Sequence, residues 1–187
     1  NYSILVIADR LSLGEADRDA LFSMLERGSK IMLVASNFNY ALADTLGFER
    51  SYGYFSFRRL KSYVTTSQES DTIHWEPDSI YRDNRMFYFY PHLSEGYLYR
   101  ADSVFTTLAS QKHNLYNDSL KQTEYRLVPC AIKRDYGKGQ LIISSTPLLF
   151  TNYGMLDGEN SAYLFRVLGQ LRGMPIIRTE AYGDYLK

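Results

Sequence analysis

One cysteine, five prolines and no surplus of either charge among 187 residues leave this chain little from which to build a specialised scaffold. Each shortage excludes something. Cys130 has no second cysteine to pair with inside the chain, so a small disulfide-stapled fold is ruled out. The 21 basic side chains are cancelled by 21 acidic ones. Nucleic-acid binders take most of their affinity from a basic excess facing phosphates, so nucleic acid is not an expected partner. The longest apolar runs, Ile4 to Ala8 and Ile31 to Ala35, are far shorter than the roughly 18 residues that cross a bilayer. Any membrane attachment is therefore expected through segments outside this chain. The sequence opens at Asn1 directly on a strand pattern, and we expect it to be cut from a longer protein.

The usual signatures of catalysis are missing too. Cys130 sits among Val128, Pro129, Ala131 and Ile132, an apolar setting that suits an inert thiol better than a nucleophile with a lowered pKa. No Gly-x-Ser-x-Gly elbow is present, and Ser144-Ser145 is followed by Pro147 instead of a helix. His74, His92 and His113 show no metal-ligand spacing, so no metal is expected. Neither a Walker loop nor Gly-x-Gly-x-x-Gly follows the first strand, and no cofactor is expected.

What is present is architecture. Tyr2 to Ala8 is a short run rich in branched side chains, the pattern of a strand covered on both faces. Ser12 with Glu15 forms a candidate capping box for a helix through Leu21, Met24 and Leu25, which Gly28 would end. Lys30 to Ser36 reads as a second buried strand, then Asn37 or Asn39 caps a short helix closed by Gly47. Strand, helix, strand at this spacing predicts a right-handed crossover and parallel pairing. Residues 49–125 are different. They hold ten of the 17 tyrosines and five of the 10 phenylalanines and predict a β-rich insertion or sheet elaboration within one domain spanning 1–187. Leu127 to Lys133 and Gln140 to Ser145 predict a hairpin around Gly137 and Gly139. Asn160 or Ser161 opens a last helix that Gly173 and Pro175 stop.

The stretch from Gly137 through Ser144-Ser-Thr-Pro-Leu-Leu-Phe-Thr-Asn152 to Asn160 and Tyr163 resembles the bacterial domain of unknown function 4350 family: a glycine turn, an apolar strand, a small-residue-Pro step, Leu-Phe-Thr-Asn, then Asn before a helix. The opening strand and the helix leading to Lys30-Ile-Met-Leu-Val34 are similar as well. The resemblance implies an α/β fold like the class I glutamine amidotransferases, with a mostly parallel, flavodoxin-like sheet flanked by helices. It also implies a membrane-anchored bacterial protein with this domain outside the cytoplasm. It implies no known activity, since the amidotransferase cysteine with its His partner has no counterpart here.

In open parallel sheets, ligands gather beyond the carboxyl ends of the strands. The polar residues expected there are Asp9, Arg10, Asn37, Asn39, Thr146, Thr151, Asn152, Asp157 and Asn160. They either line a ligand site or cap helices and fix loops. The loop Phe150 to Gly158 is expected to fold over the Asp9-Arg10 and Asn37 turns. Two functions follow. One is a non-catalytic domain that binds a protein partner or small ligand. The other is a hydrolase of carbohydrate or amide substrates that uses carboxylates not paired in sequence.

Overall fold

The structure, a computed structural model, describes residues 1–51, 71–89, 97–101, 103–117, 122–156 and 158–179. Tyr52, Tyr54, Phe55, Phe57, Tyr90, His92 and Asp157 therefore lie outside the described residues.

The chain begins as its apolar periodicity dictates. Strand β1 (Ser3–Leu11), helix α1 (Glu15–Glu26) and strand β2 (Lys30–Phe38) form a parallel crossover in which Ser3 pairs with Lys30 and Ala8 with Ala35. Helix α1 starts without the capping box. Gly14 is its N-cap with no side-chain bond, because β1 continues to Leu11 and leaves Ser12 to accept a hydrogen bond from Asn39 instead. Beyond α1, Gly28 has φ of 100°, a left-handed conformation that glycine takes without strain. Helix α2 (Tyr40–Leu46) is capped by Asn39, whose Oδ1 accepts the Leu42 N–H at 3.0 Å.

Strands β3 (Phe48–Ser51) and β6 (Tyr97–Ala101) pair with each other in a small second sheet. Strands β4 (Asp71–Trp75), β5 (Met86–Phe89), β7 (Thr106–Asn117), β8 (Gln122–Tyr136) and β9 (Gly139–Ser144) join the main sheet. After β9 come a 3-10 turn (Pro147–Phe150), helix α3 (Asn152–Leu156), helix α4 (Asn160–Gly169) and strand β10 (Ile176–Thr179). Among the described residues the main sheet has eight strands in the order β10-β1-β2-β9-β8-β7-β4-β5.

This order corrects the expected fold class. The sheet is mixed and largely antiparallel, neither a flavodoxin-like nor a glutamine amidotransferase-like parallel sheet. Only the β10-β1, β1-β2 and β2-β9 ladders are parallel; the β9-β8, β8-β7, β7-β4 and β4-β5 ladders are antiparallel. The physical reason is the β8-β9 hairpin. It lays β9 parallel to β2 but turns the chain back on itself, and β7, β4 and β5 extend the sheet beyond β8 through antiparallel ladders. The hairpin itself forms as its glycines predict.

Alternation along the central strands sends side chains to two cores. Met32, Val34, Ile142 and Ala131 face one side with Trp75, Phe87, Tyr163 and Val167, under α4. Ile31, Leu33, Leu141, Ile143 and Ile132 face the other with Leu21, Leu25, Leu42 and Leu98, under α1, α2 and the small sheet. Helix α4 is also fastened by polar contacts. Arg166 grips both carboxylate oxygens of Asp83 at 2.7 and 2.8 Å and lies over the Tyr81 ring at 5.0 Å.

Candidate functional site

The carboxyl edge of the parallel strands was the expected site. Asp9 and Arg10 are exposed but still belong to β1, and Arg10 is in register with Asn37 inside β2. Arg10 and Asn37 are therefore rungs of a ladder, and Asp9 is a strand residue between two such rungs. Asn39 is consumed by structure. Its Oδ1 caps α2, and its Nδ2 donates to Ser12 Oγ at 3.0 Å. Thr146 is fully buried, with Oγ1 3.0 Å from Ser144 Oγ. Thr151 is exposed; its hydroxyl donates to the Leu148 carbonyl and accepts the Gly154 N–H at 3.1 Å. Asn152 is exposed as the first residue of α3, and Asn160 is buried, its Nδ2 donating to the Gly154 carbonyl at 2.9 Å.

The 3-10 turn packs against β1 and β2, while α3 packs on that turn and on α4. Gly154 makes the stacking possible. A Cβ there would collide with the Leu148 carbonyl oxygen and stand 2.7 Å from Leu149 Cα. Its need is for close approach; Gly158, not Gly154, has the positive φ.

Beneath the turn, groups capable of chemistry are sealed in. Cys130, Ser144, Thr146 and Tyr163 are all 0% exposed. The Cys130 thiol donates to the Ala109 carbonyl at 3.5 Å. Burial, followed by the adjacent Cys130, pushes the Tyr163 hydroxyl well above its usual pKa, so it stays neutral. That hydroxyl lies beside Ser144 and Thr146 without a well-formed hydrogen bond. Among the described residues, no three His, Cys, Asp or Glu side chains converge as a metal would require.

The opposite edge is open. A cavity of about 290 Å³ lies where β2 and β9 begin and β8 ends, lined among others by Lys30, Lys133, Asp135, Lys138, Gln140 and Arg172. Strand alternation explains the convergence. Lys30 is two residues before Met32, Gln140 two before Ile142, and Lys133 follows Ile132 of the opposite core, so all three point to the α4 face. Lys30 Nζ donates to the Gln170 and Arg172 carbonyls at 3.1 and 2.9 Å, covering acceptors at the end of α4. Burial first, then the charges of Arg172 and Lys133, lower the Lys30 pKa.

Behind the cavity lies a buried ion pair. Lys133 Nζ is 2.9 Å from Asp78 Oδ2 and 3.1 Å from Gln170 Oε1, and Gln170 Nε2 donates to the same Asp78 oxygen at 2.8 Å. Burial alone would raise the Asp78 pKa. Hydrogen bonds from the Tyr81 N–H, Lys133, the Ile80 N–H and Gln170 outweigh it, and the carboxyl is held below the usual range. Sequence reasoning missed this edge. Its one local signal was Lys133 and Asp135 alternating out of an apolar strand.

Among curated proteins, none matches the chain. Solved structures do. The mmIFT52 N-terminal domain superposes with a TM-score of 0.58 at 13% identity, over 90% of this chain and 76% of that one. A β-galactosidase from Bacillus circulans sp. alkalophilus gives 0.49 at 12% identity, over 93% of this chain and 23% of that one. The β-galactosidase from Rahnella sp. R3 gives 0.48 at 12%, over 92% and 23%. The chain thus spans less than a quarter of those enzymes, and the mmIFT52 likeness is one of fold alone. Residues 1–168 match the family described as Domain of unknown function (DUF4350), and the chain belongs to that family.

Proposed function

We propose that this chain is a non-catalytic ligand-binding or protein-assembly domain of a membrane-anchored bacterial protein, standing outside the cytoplasm. The observation that carries the reading is the sealed carboxyl edge. Cys130, Ser144, Thr146 and Tyr163, the groups best suited to nucleophilic or acid-base work there, are all enclosed under the 3-10 turn and α4. A hydrolase of carbohydrates needs two carboxylates facing across a cleft, and its general acid or base must reach the substrate. Asp9 is exposed in strand β1 instead. Among the described residues no helix is long and apolar enough to cross a membrane, so the anchoring part of the proposal rests on the resemblance and on segments outside this chain.

Two measurements test the reading. The purified chain should release no product above the buffer blank from panels of chromogenic glycosides and amides. Turnover that disappears in Asp9→Asn would establish the hydrolase instead. For location, protease added to intact spheroplasts carrying the full-length protein should digest this domain; protection until lysis would place it inside.

A further inference from the structure

The cavity at the amino edge is unevenly charged. Lys30, Lys133, Lys138 and Arg172 line it, and Asp135 is the one carboxylate among the lining residues. Lys133 is already matched by Asp78 from behind. Among the described residues Lys138 and Arg172 have no ion pair, and both are exposed to the cavity mouth. Gathering cations this closely is unfavourable without a counter-charge; the Lys30 pKa is lowered by burial first and then by the charges of Arg172 and Lys133.

The shape and lining narrow the class of ligand. About 290 Å³ suits a small metabolite and lies at the lower limit of ordinary ligand pockets. No aromatic side chain lines it, so a nucleobase would find no ring to stack on. Arg172 offers a planar fork and Lys138 a mobile point charge, a pairing that suits phosphate oxygens. Asp135 Oδ1 accepts from Gln140 Nε2 at 3.0 Å, which leaves its second oxygen for a hydroxyl.

We propose that this cavity binds a small hydroxylated phosphate monoester, with the phosphoryl group on Lys138 and Arg172 and the hydroxyl groups on Asp135 and Gln140. The proposal rests on reading the chain as a binding domain, but concerns the edge opposite to the sealed one. A positive turnover assay would overturn that reading without touching this site.

The test is titration calorimetry of the 187-residue chain at low ionic strength with a hexose 6-phosphate, inorganic phosphate, the free hexose and citrate. The hexose phosphate should saturate, inorganic phosphate should bind more weakly, and the free hexose should give no heat. Lys138→Gln with Arg172→Gln should weaken the hexose phosphate on the order of ten-fold or more while leaving the melting temperature unchanged. Asp135→Asn should weaken the hexose phosphate and not inorganic phosphate. Overturning results are equally definite: no saturable heat with any probe, equal affinity in the double variant, or free hexose or citrate binding as tightly as the phosphate ester.

Discussion

Two side chains set the expectations at the scale of single residues. Asp78, 1% exposed, meets Lys133, 12% exposed, inside the α4 face of the sheet. Removing one member of a buried pair strands the other charge, at a cost of about 3–5 kcal/mol. Because water reaches Lys133 through the cavity, Asp78→Ala should fall near about 3 kcal/mol in denaturant unfolding. Its pH dependence has a fixed sign. The folded pKa of Asp78 is lowered, so its contribution is complete above the unfolded value of about 3.9 and disappears as pH falls through the folded value. Wild type should therefore lose stability on acidification more steeply than Asp78→Asn, and parallel curves would contradict the assignment. Cys130 gives the complementary case. At 0% exposure, it should react with thiol reagents only as fast as the protein opens, and Cys130→Ala should leave binding intact. That Asn37 or Asn39 would cap α2 was legible in the sequence because a cap is local; the choice of Asn39 was not. Ala35-Ser-Asn-Phe38 looks like a turn until β1 extends alongside it through Leu11. The cations of the amino-edge cavity were invisible for a different reason. Lys30 and Arg172 approach only when β2 and the end of α4 pack together.

Elements repeat that division between local and distant causes. The β1-α1-β2 unit and the β8-β9 hairpin follow from periodicity and glycine placement within short windows. Sheet direction does not. Whether β8 extends a parallel or an antiparallel sheet depends on where β9 docks, and β9 pairs with a strand more than a hundred residues earlier. The α3 step is similarly non-local. Its sequence reads as a loop, yet it is a short helix seated on the 3-10 turn, with Asn160 bonded to the Gly154 carbonyl beneath it. Gly154→Ala should force that layer outward and reduce stability by about 1–3 kcal/mol, the usual penalty for overpacking. A thermal melt superimposable on wild type would show that the layer yields without strain.

For the whole molecule, the two ends of the main sheet are not alike. At one end β5 closes the antiparallel part of the sheet; at the other, β10, four residues long among the described residues, is laid against Ser3 to Val6 of β1. Its Ile176 and Ile177 are about half exposed, so it adds little to either core. Its value lies in what it covers. Strand β1 is nine residues long, with Ser3 to Ala8 packed on both faces, and its outer row of N–H and C=O groups is the kind of template that recruits another chain. A short strand carrying Arg178 replaces that sticky border with a brief, charged one. Deleting residues from Ile176 onward should therefore change solution behaviour more than fold: near-native circular dichroism, but concentration-dependent scattering and larger species in light-scattering runs. A truncated chain that stays monomeric at high concentration would show that β1 needs no such guard. On this view the four residues of β10 act chiefly as insulation, keeping copies of the protein from knitting together edge to edge.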